Sequence, residues 1–419
     1  MKNMHILYYH QHFVTPDGAG GTRSYAMARR LIERGHRVTM VCGSYSGANI
    51  KLQSKPKRGI KKGNIDGIDV IEFCLPYSNY GSSWKRVSAF LQFAIKSSII
   101  SLTYNYDMLF ATSTPLTAGI PGILAHFLRR KPFVFEVRDL WPKLPREMGI
   151  IKNPVILQAM DILEWLCYHS ADACIGLSPG IVKGIKQKGI DQKNVVMVPN
   201  GCDIELFDQK VCDPFFIDGV KPDDFNAIFT GTHGTANGLH SVLDAAGELK
   251  KRGRRNINLI LVGDGKLKPE LKKRASMEML DNCIFLNPIS KKQLVHLLKR
   301  AHVGMMILAN IPAFYDGTSP NKFFDYIAAG LPVLNNYPGW LADMITVNKC
   351  GIVVPPENPK EFANALEYFA DHTDEVATMG EHAHVLAKRL FARRNLADKL
   401  VDTIEKVAAC RLKEFTDAK

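Results

Sequence analysis

The sequence predicts an α/β protein of two Rossmann-like domains in tandem, closed by a C-terminal helical stretch. Three observations predict it. The chain has 419 residues, more than one core comfortably holds. Strand-like and helix-like runs alternate, lapse between residues 204 and 225, and then resume. The strand-like runs are continuously apolar, as strands covered on both faces are. Such alternation implies parallel sheets with right-handed crossovers.

The elements follow in order. "MHILYYHQHF" reads as a strand and "GGTRSYAMARRLIERGH" as a glycine-started helix, with apolar or small positions at Tyr25, Ala28, Leu31 and Ile32. "RVTMVCG", "YDMLFATST", "KPFVFEVRDL", "DACIGLS" and "NVVMVPNG" are further strands. The helices "PLTAGIPGILAHFLRR", "VILQAMDILEWLCYHSA" and "PGIVKGIKQKG" fall between the last four of these strands. The stretch "CDIELFDQKVCDPFFIDGVKPDDF" has no sustained period and reads as a connection between domains. After it, "NAIFTG", "INLILVGDG", "CIFLNPI", "VGMMIL", "PVLNN" and "GIVVPP" are strands separated by helical runs. The boundaries read as 1–203 for the first domain, 204–225 for the connection and 226–390 for the second domain. A helix over 391–419 can cross back to the first domain. Ligands of open parallel sheets bind outside the carboxyl ends of the strands, so two such sheets facing each other would place a site in the cleft between them.

Composition narrows the function classes. Apolar residues make up 46% and charged residues 23%, ordinary for a globular chain. The net charge of +13 favours an anionic partner; nucleic acid, nucleotide phosphates and acidic lipid headgroups all stay open on charge alone. Nine cysteines without a C-x-x-C pair read as reduced cytosolic thiols. The chain runs from Met1 straight into "MKNMHILYY", so no signal peptide is expected. No run of 18 uncharged apolar residues occurs, so no transmembrane helix is expected. D-x-D, H-E-x-x-H and clustered cysteines are missing, and no metal site is expected. The lack of G-x-S-x-G and of a Walker lysine motif counts against hydrolase and P-loop chemistry. His10 and His12 alternate on an expected strand end, which would point them one way as cleft-lining or packing residues.

Four loops after strands carry glycine. In "TPDGAGG", Gly20 and Gly21 let backbone N–H groups approach an anion, or simply make a tight turn. A dinucleotide fingerprint is excluded, because Arg23 stands where its third glycine would fall. In "FTGTHGTANGL", Gly231 and Gly234 allow the same two readings. "LVGDGKL" is a structural turn shaped by Gly263 and Gly265. The fourth, "DGTSPNKFFDYIAAGLPVL", spans Asp316 to Leu334 as a polar loop, a short helix, a turn and a strand. Lys322 falls near the helix start, where the macrodipole disfavours a cation. A bound anion among Thr318, Ser319, Asn321 and Lys322 would resolve this; a solvated turn is the plainer reading. Asp325, one turn on, can accept from vicinal hydroxyls such as those of a ribose. The spacing suits a nucleoside diphosphate.

Two other stretches bear on function. "FEVRDLWPK" puts Arg138 and Asp139 just past a buried strand, as catalytic or orienting groups or as a surface ion pair. "SSWKRVSAFLQFAIKSSIISLTYNY", Ser82 to Tyr106, carries a helical stripe of Trp84, Val87, Phe90, Leu91, Ala94, Ile95, Ile99 and Leu102 flanked by Lys85, Arg86 and Lys96. It reads either as a helix packed on the sheet or as one lying in a bilayer interface. The basic tract "KLQSKPKRGIKKG" could add attraction to anionic lipid, or be a solvated loop or hairpin.

Taken together, "GGTRSYAMARRLIERGHRVTMVCG", "VRDLWPK", "SPGIVKGI", "VMVPNGCDIELF", "FTGTHGTANGL", "LILVGDG", "SPNKFFDYIAAGLPV" and "GIVVPP" resemble the family 4 glycosyltransferases of the GT-B fold, over essentially the whole chain. The likeness is to bacterial O-antigen and capsule transferases, including L-fucosamine-type amino-sugar transferases. The resemblance implies a retaining, metal-independent and cofactor-free transfer from a nucleotide sugar, a UDP-sugar carrying an N-acetylamino sugar, to a polyprenyl-diphosphate-linked saccharide. It implies peripheral contact with the cytoplasmic face of the plasma membrane, and no nucleic acid. The donor would be held mainly by the second domain, through Gly231, Thr232, His233, Asn237, Asp316, Thr318, Ser319, Asn321, Lys322 and Asp325, with Gly20 and Gly21 from the first. In the family's acid–seven residues–acid motif the second acid matches Asp325, while the first falls on Gly317, one place from Asp316. Asn237 stands where a lysine is expected, and Lys322 would supply that charge. Arg138 occupies the place of an expected histidine, with Asp139 beside it; both are candidates for the catalytic site. A soluble enzyme with a small-molecule acceptor, and a non-catalytic nucleotide- or polyanion-binding protein, are the alternatives.

Overall fold

The computed structural model describes residues 3–45, 50, 52–77, 83–209, 217–221 and 223–417. The chain divides into two units. One comprises Met1–Pro199, Gly317–Ser319 and Arg394–Lys419; the other comprises Asn200–Asp316 and Pro320–Arg393.

The first unit is built on eight strands: β1 His5–Tyr9, β2 Arg37–Tyr45, β3 Ile60–Ile65, β4 Ile68–Tyr77, β5 Met108–Thr112, β6 Phe133–Val137, β7 Ala173–Gly176 and β8 Val195–Met197. Their order is β3-β4-β2-β1-β5-β6-β7-β8. All pairings are parallel except that of β3 with β4. The order reverses between β1 and β5, which makes the carboxyl ends of these two strands the switch point. Helices cover both faces. Leu7, Tyr9, Val41, Phe73, Leu109, Phe135 and Ile181 contribute to the core on one of them.

The second unit has six parallel strands: β9 Phe225–Thr230, β10 Ile257–Val262, β11 Cys283–Leu286, β12 Val303–Met306, β13 Val333–Asn335 and β14 Gly351–Val353. They run β11-β10-β9-β12-β13-β14, so the switch point lies between β9 and β12. Asn336 extends the sheet past its last ladder bond. Its side-chain amide accepts from the Leu308 N–H at 3.0 Å and donates to the Leu308 carbonyl at 3.1 Å. This ties down the chain leaving β12.

Several local expectations change. The predicted alternation passes over β3 and β4. They form a hairpin whose Asp66 and Gly67 have φ of 50° and 88°, the left-handed pair that a two-residue turn between twisted strands requires. The basic tract is therefore partly strand, with Lys51 outside the described residues. The first strand stops at Tyr9, so His10 and His12 lie beyond it, His12 in a turn. Gly20 and Gly21 do not open the helix; Thr22 intervenes, and the helix runs Arg23–Glu33. The connection contains a short helix, Ile204–Phe207, and its residues 210–216 and 222 lie outside the described residues. Asp316 and Gly317 close a helix, Pro312–Gly317, instead of opening a loop. The C-terminal stretch is two helices, Thr373–Leu390 and Arg393–Asp417.

Candidate functional site

In the second unit the segment around Lys322 folds as the helix Asn321–Ala328, with the Pro320 backbone extended ahead of it. Every residue from Lys322 to Ala328 is buried. Lys322 and Asp325, one turn apart, have different partners. Lys322 Nζ donates to Asn237 Oδ1 at 2.6 Å and lies 4.1 Å from the centre of the Phe229 ring. Asn237 also donates to the Thr232 carbonyl at 2.7 Å, closing its own loop. The lysine thus delivers its ammonium to the loop after β9. Burial pulls its pKa down to about 7.

Asp325 instead accepts from Lys291, itself buried. Lys291 lies 3.9 Å from Asp203, and Asp203 is gripped by Arg393. Burial raises the Asp325 pKa, and the Lys291 ammonium pulls it back. The ribose handle expected at this carboxylate is therefore already engaged through Oδ1.

The loop after β9 rests on the loop after β10. Gly231 and Gly263 have φ of 148° and 141°, and a Cβ on Gly263 would collide with the Gly231 carbonyl oxygen. The His233 N–H donates to the Asp264 carbonyl at 2.9 Å. The His233 ring is 0% exposed and lies beside Phe229 and Phe285. Burial lowers its pKa to about 4, so it is neutral. The side chain of this expected donor contact faces the interior, because the aromatic neighbours enclose it. Thr318 and Ser319 lie between the two helices of the segment, and Asn321 is the first residue of the second helix. The side chain of Asp316 lies outside the described ones, and among the described residues nothing lies within 4 Å of a Cβ position on Gly317.

In the first unit the candidates gather beyond β1, β5 and β6. Asp139 accepts from Thr114 Oγ1 at 2.9 Å. Burial raises its pKa, opposed by that bond and by Arg138. Arg138 Nη1 lies 3.2 Å from His10 Nε2, and its backbone N–H donates to Ser113 Oγ at 3.0 Å. Gly20 and Gly21 lie in the bend before the helix Arg23–Glu33, whose first turn has no side-chain cap from Thr22. The described residues contain no group of three or more His, Cys, Asp or Glu side chains able to hold a metal ion, and their eight cysteines are free thiols.

Residues 18–201 match the model of the glycosyl transferase 4-like domain, and residues 215–385 match that of glycosyl transferases group 1. The chain thus carries a glycosyl transferase 4-like domain followed by a glycosyl transferases group 1 domain. Among its relatives, a D-rhamnosyltransferase of Pseudomonas aeruginosa is 25% identical over 283 residues, 64% of this chain and 66% of the relative. An O-antigen chain mannosyltransferase of Escherichia coli is 21% identical over 257 residues, 60% of this chain and 64% of the relative. The chain thus spans just under two thirds of each of these relatives. An Anabaena protein solved in complex with UDP-glucose superposes with a TM-score of 0.70 at 16% identity, covering 96% of this chain and all of that one. Its likeness shows the fold, GT-B.

Sequence reasoning missed three features of these two units. Arg23 is wholly buried, donating to Glu136 Oε2 from Nε and Nη2 at 3.0 and 2.7 Å and to the Val198 and Pro199 carbonyls. It ties the start of its helix to the ends of β6 and β8. Lys268 is pinned by the carbonyls of Gly263 and Leu286 and by Asn287 Oδ1, at 2.8, 2.8 and 3.1 Å, which holds the loop beneath Gly231. Lys291 pairs with Asp325. The signal available for all three was a charge beside a helix start; nothing in the spacing named the partner.

Proposed function

We propose that this protein is a glycosyltransferase that moves a sugar from a nucleotide sugar, a UDP-sugar, to a lipid-linked saccharide at the cytoplasmic face of a membrane. The observation that carries the donor half is the Lys322 ammonium held against the glycine loop after β9, beside a helix start. A diphosphate there meets a cation, backbone N–H groups and a helix N-terminus at once. These same groups would stabilise the charge that develops on the leaving diphosphate. The UDP-glucose complex of the Anabaena protein supports a UDP donor, and the resemblance to amino-sugar transferases supports an N-acetylamino sugar. Retention fits a front-face displacement in which the leaving phosphate helps deprotonate the acceptor hydroxyl. Arg138 and Asp139 would serve the acceptor side.

The acceptor half rests on the first unit's surface. The helix Ser83–Thr103 turns Ala89, Phe93 and Ala94 inward and leaves Trp84, Val87, Leu91, Ile95, Ile99 and Leu102 exposed, Trp84 at 83% and Ile95 at 61%. One face of its stripe packs against the unit and another is bare, which supports the bilayer-interface reading for the bare face. The helix Ile120–Arg129 packs beside it with Phe127 and Leu128 exposed, and Pro154–Ser170 follows with Val155, Ile156, Ile162 and Trp165. The exposed Lys57 and Arg58 turn ends at Gly59, where a Cβ would stand 3.8 Å from Lys96 Nζ. Apolar residues rimmed by lysine and arginine suit an anionic bilayer interface. No described helix is long and apolar enough to cross a membrane.

The test is a thermal-shift and transfer assay over UDP-, GDP- and dTDP-sugars with a polyprenyl-diphosphate-linked saccharide. A UDP-sugar should stabilise the protein and be consumed only with acceptor present. Stabilisation by none of them would sink the reading.

A further inference from the structure

We infer that His10 is a positioning residue, whose imidazole Nε2 accepts from Arg138 Nη1 and holds that guanidinium across the carboxyl end of β5. His10 follows β1 and Arg138 follows β6, with β5 between them. Adjacent strands lie about 4.8 Å apart, so the arginine must reach over the end of β5 to make a 3.2 Å contact. That path crosses the point where the strand order reverses, where open α/β sheets bind ligands.

The chemistry of the pair has one solution. A guanidinium has no acceptor and stays charged, so the imidazole must accept. Nε2 is then bare and the proton sits on Nδ1. The surroundings agree: His10 is 3% exposed, and burial, Arg138 and His12 all push its pKa well below the ordinary value. Nδ1 has no hydrogen-bond partner among the described residues. Both backbones are fixed, His10 N–H to the Val41 carbonyl at 3.1 Å and Arg138 N–H to Ser113 Oγ at 3.0 Å.

The neutrality of the partner is the point. Arg23, at the start of the helix Arg23–Glu33, is compensated by Glu136 of β6. Asp139, next to Arg138 in sequence, bonds Thr114 instead. Glu136 and Asp139 feel the Arg138 charge, but each is bonded to another group; the imidazole orients Arg138 without adding a further negative charge, which leaves a fixed cation at the switch point for an anionic group of a bound substrate. That consequence rests on the glycosyltransferase reading; the contact itself does not.

The experiment pairs kinetics with a measurement that needs no turnover. His10→Phe should lower kcat about tenfold with the donor KM within about twofold, and His10→Gln, whose amide oxygen can accept, should recover most of it. In an Arg138→Lys background, His10→Phe should cost less than about twofold more, because the contact is already lost. Equal losses in the Phe and Gln variants, or fully additive losses, overturn the inference. Nitrogen-15 NMR of the histidine-labelled chain should show His10 as the Nδ1–H tautomer, untitrated between about pH 5.5 and 8. An imidazole that titrates in that range overturns the contact whatever the kinetics. If the wild type transfers no sugar, the functional reading fails, and the tautomer still decides the contact.

Discussion

Lys322 and Asn237, 85 residues apart, meet at 2.6 Å. The ammonium therefore reaches the loop after β9 from a neighbouring helix. The polar group it bonds is a neutral amide, and a phenyl ring lies under it. A cation held this way is poorly compensated, and an anion is what would compensate it.

Replacing Lys322 with methionine should weaken nucleotide-sugar binding by about ten- to a hundredfold, the range of one charge-assisted contact. Isothermal titration with the best donor from the thermal-shift screen checks this. Unchanged affinity would remove Lys322 from the donor site.

Proton linkage follows from the Lys322 pKa of about 7. A bound diphosphate favours the protonated amine, so binding above about pH 7 takes up a proton and weakens as pH rises, by up to about tenfold per unit. Titrations in buffers of different ionisation enthalpy should detect the uptake, and Lys322→Met should abolish it. Stability has the opposite sign. The folded chain holds this proton less tightly than the unfolded one, so the cost of burial is full below about pH 7 and fades toward the ordinary lysine value near 10.5. Lys322→Met should raise Tm most at low pH; a Tm gain that grew with pH would contradict the assignment.

Asp325 and Lys291 are buried together, so removing one partner strands the other. Lys291→Met should destabilise the chain by about 3–5 kcal/mol, and adding Asp325→Asn should recover part of that. Urea denaturation of the single and double variants measures the coupling. Full additivity would show that the pair is not an energetic unit.

Gly263→Ala tests the support beneath the donor loop. The new Cβ would strike the Gly231 carbonyl, at a φ that side chains rarely adopt. A loss of about 2 kcal/mol or more in stability is expected, with weakened donor binding. Gly247→Ala, where nothing lies within 4 Å of the Cβ position, is the control and should leave both near wild type.

Ile95→Glu with Ile99→Glu tests the exposed helix face. Both residues are more than half exposed, so stability should change by less than about 0.5 kcal/mol. Sedimentation with anionic vesicles should fall sharply if this face meets the bilayer. Equal binding by the variant would place membrane contact elsewhere.

How far the sequence went can be seen element by element. The continuously apolar strands and their spacing were legible, because burial on both faces leaves a pattern that needs no tertiary information. The hairpin of β3 and β4 escaped the alternation, since antiparallel strands at a sheet edge do not follow the strand–helix rhythm. Lys322 stood out because a cation at a helix start conflicts with the helix dipole. His233 could not be judged: only the aromatic neighbours at Phe229 and Phe285 decide that its ring is enclosed.

The sequence by itself determined the two-domain α/β architecture and the loops that bear its chemistry, because hydrophobic period and glycine position are local properties. Tertiary structure alone decided the partners. Lys322 went to Asn237, Asp325 to Lys291, Arg23 to Glu136 and Arg138 to His10, at sequence separations from 34 to 128 residues. The physical reason is that a side chain's charge is local, while the group that compensates it is set by which strands and helices pack together.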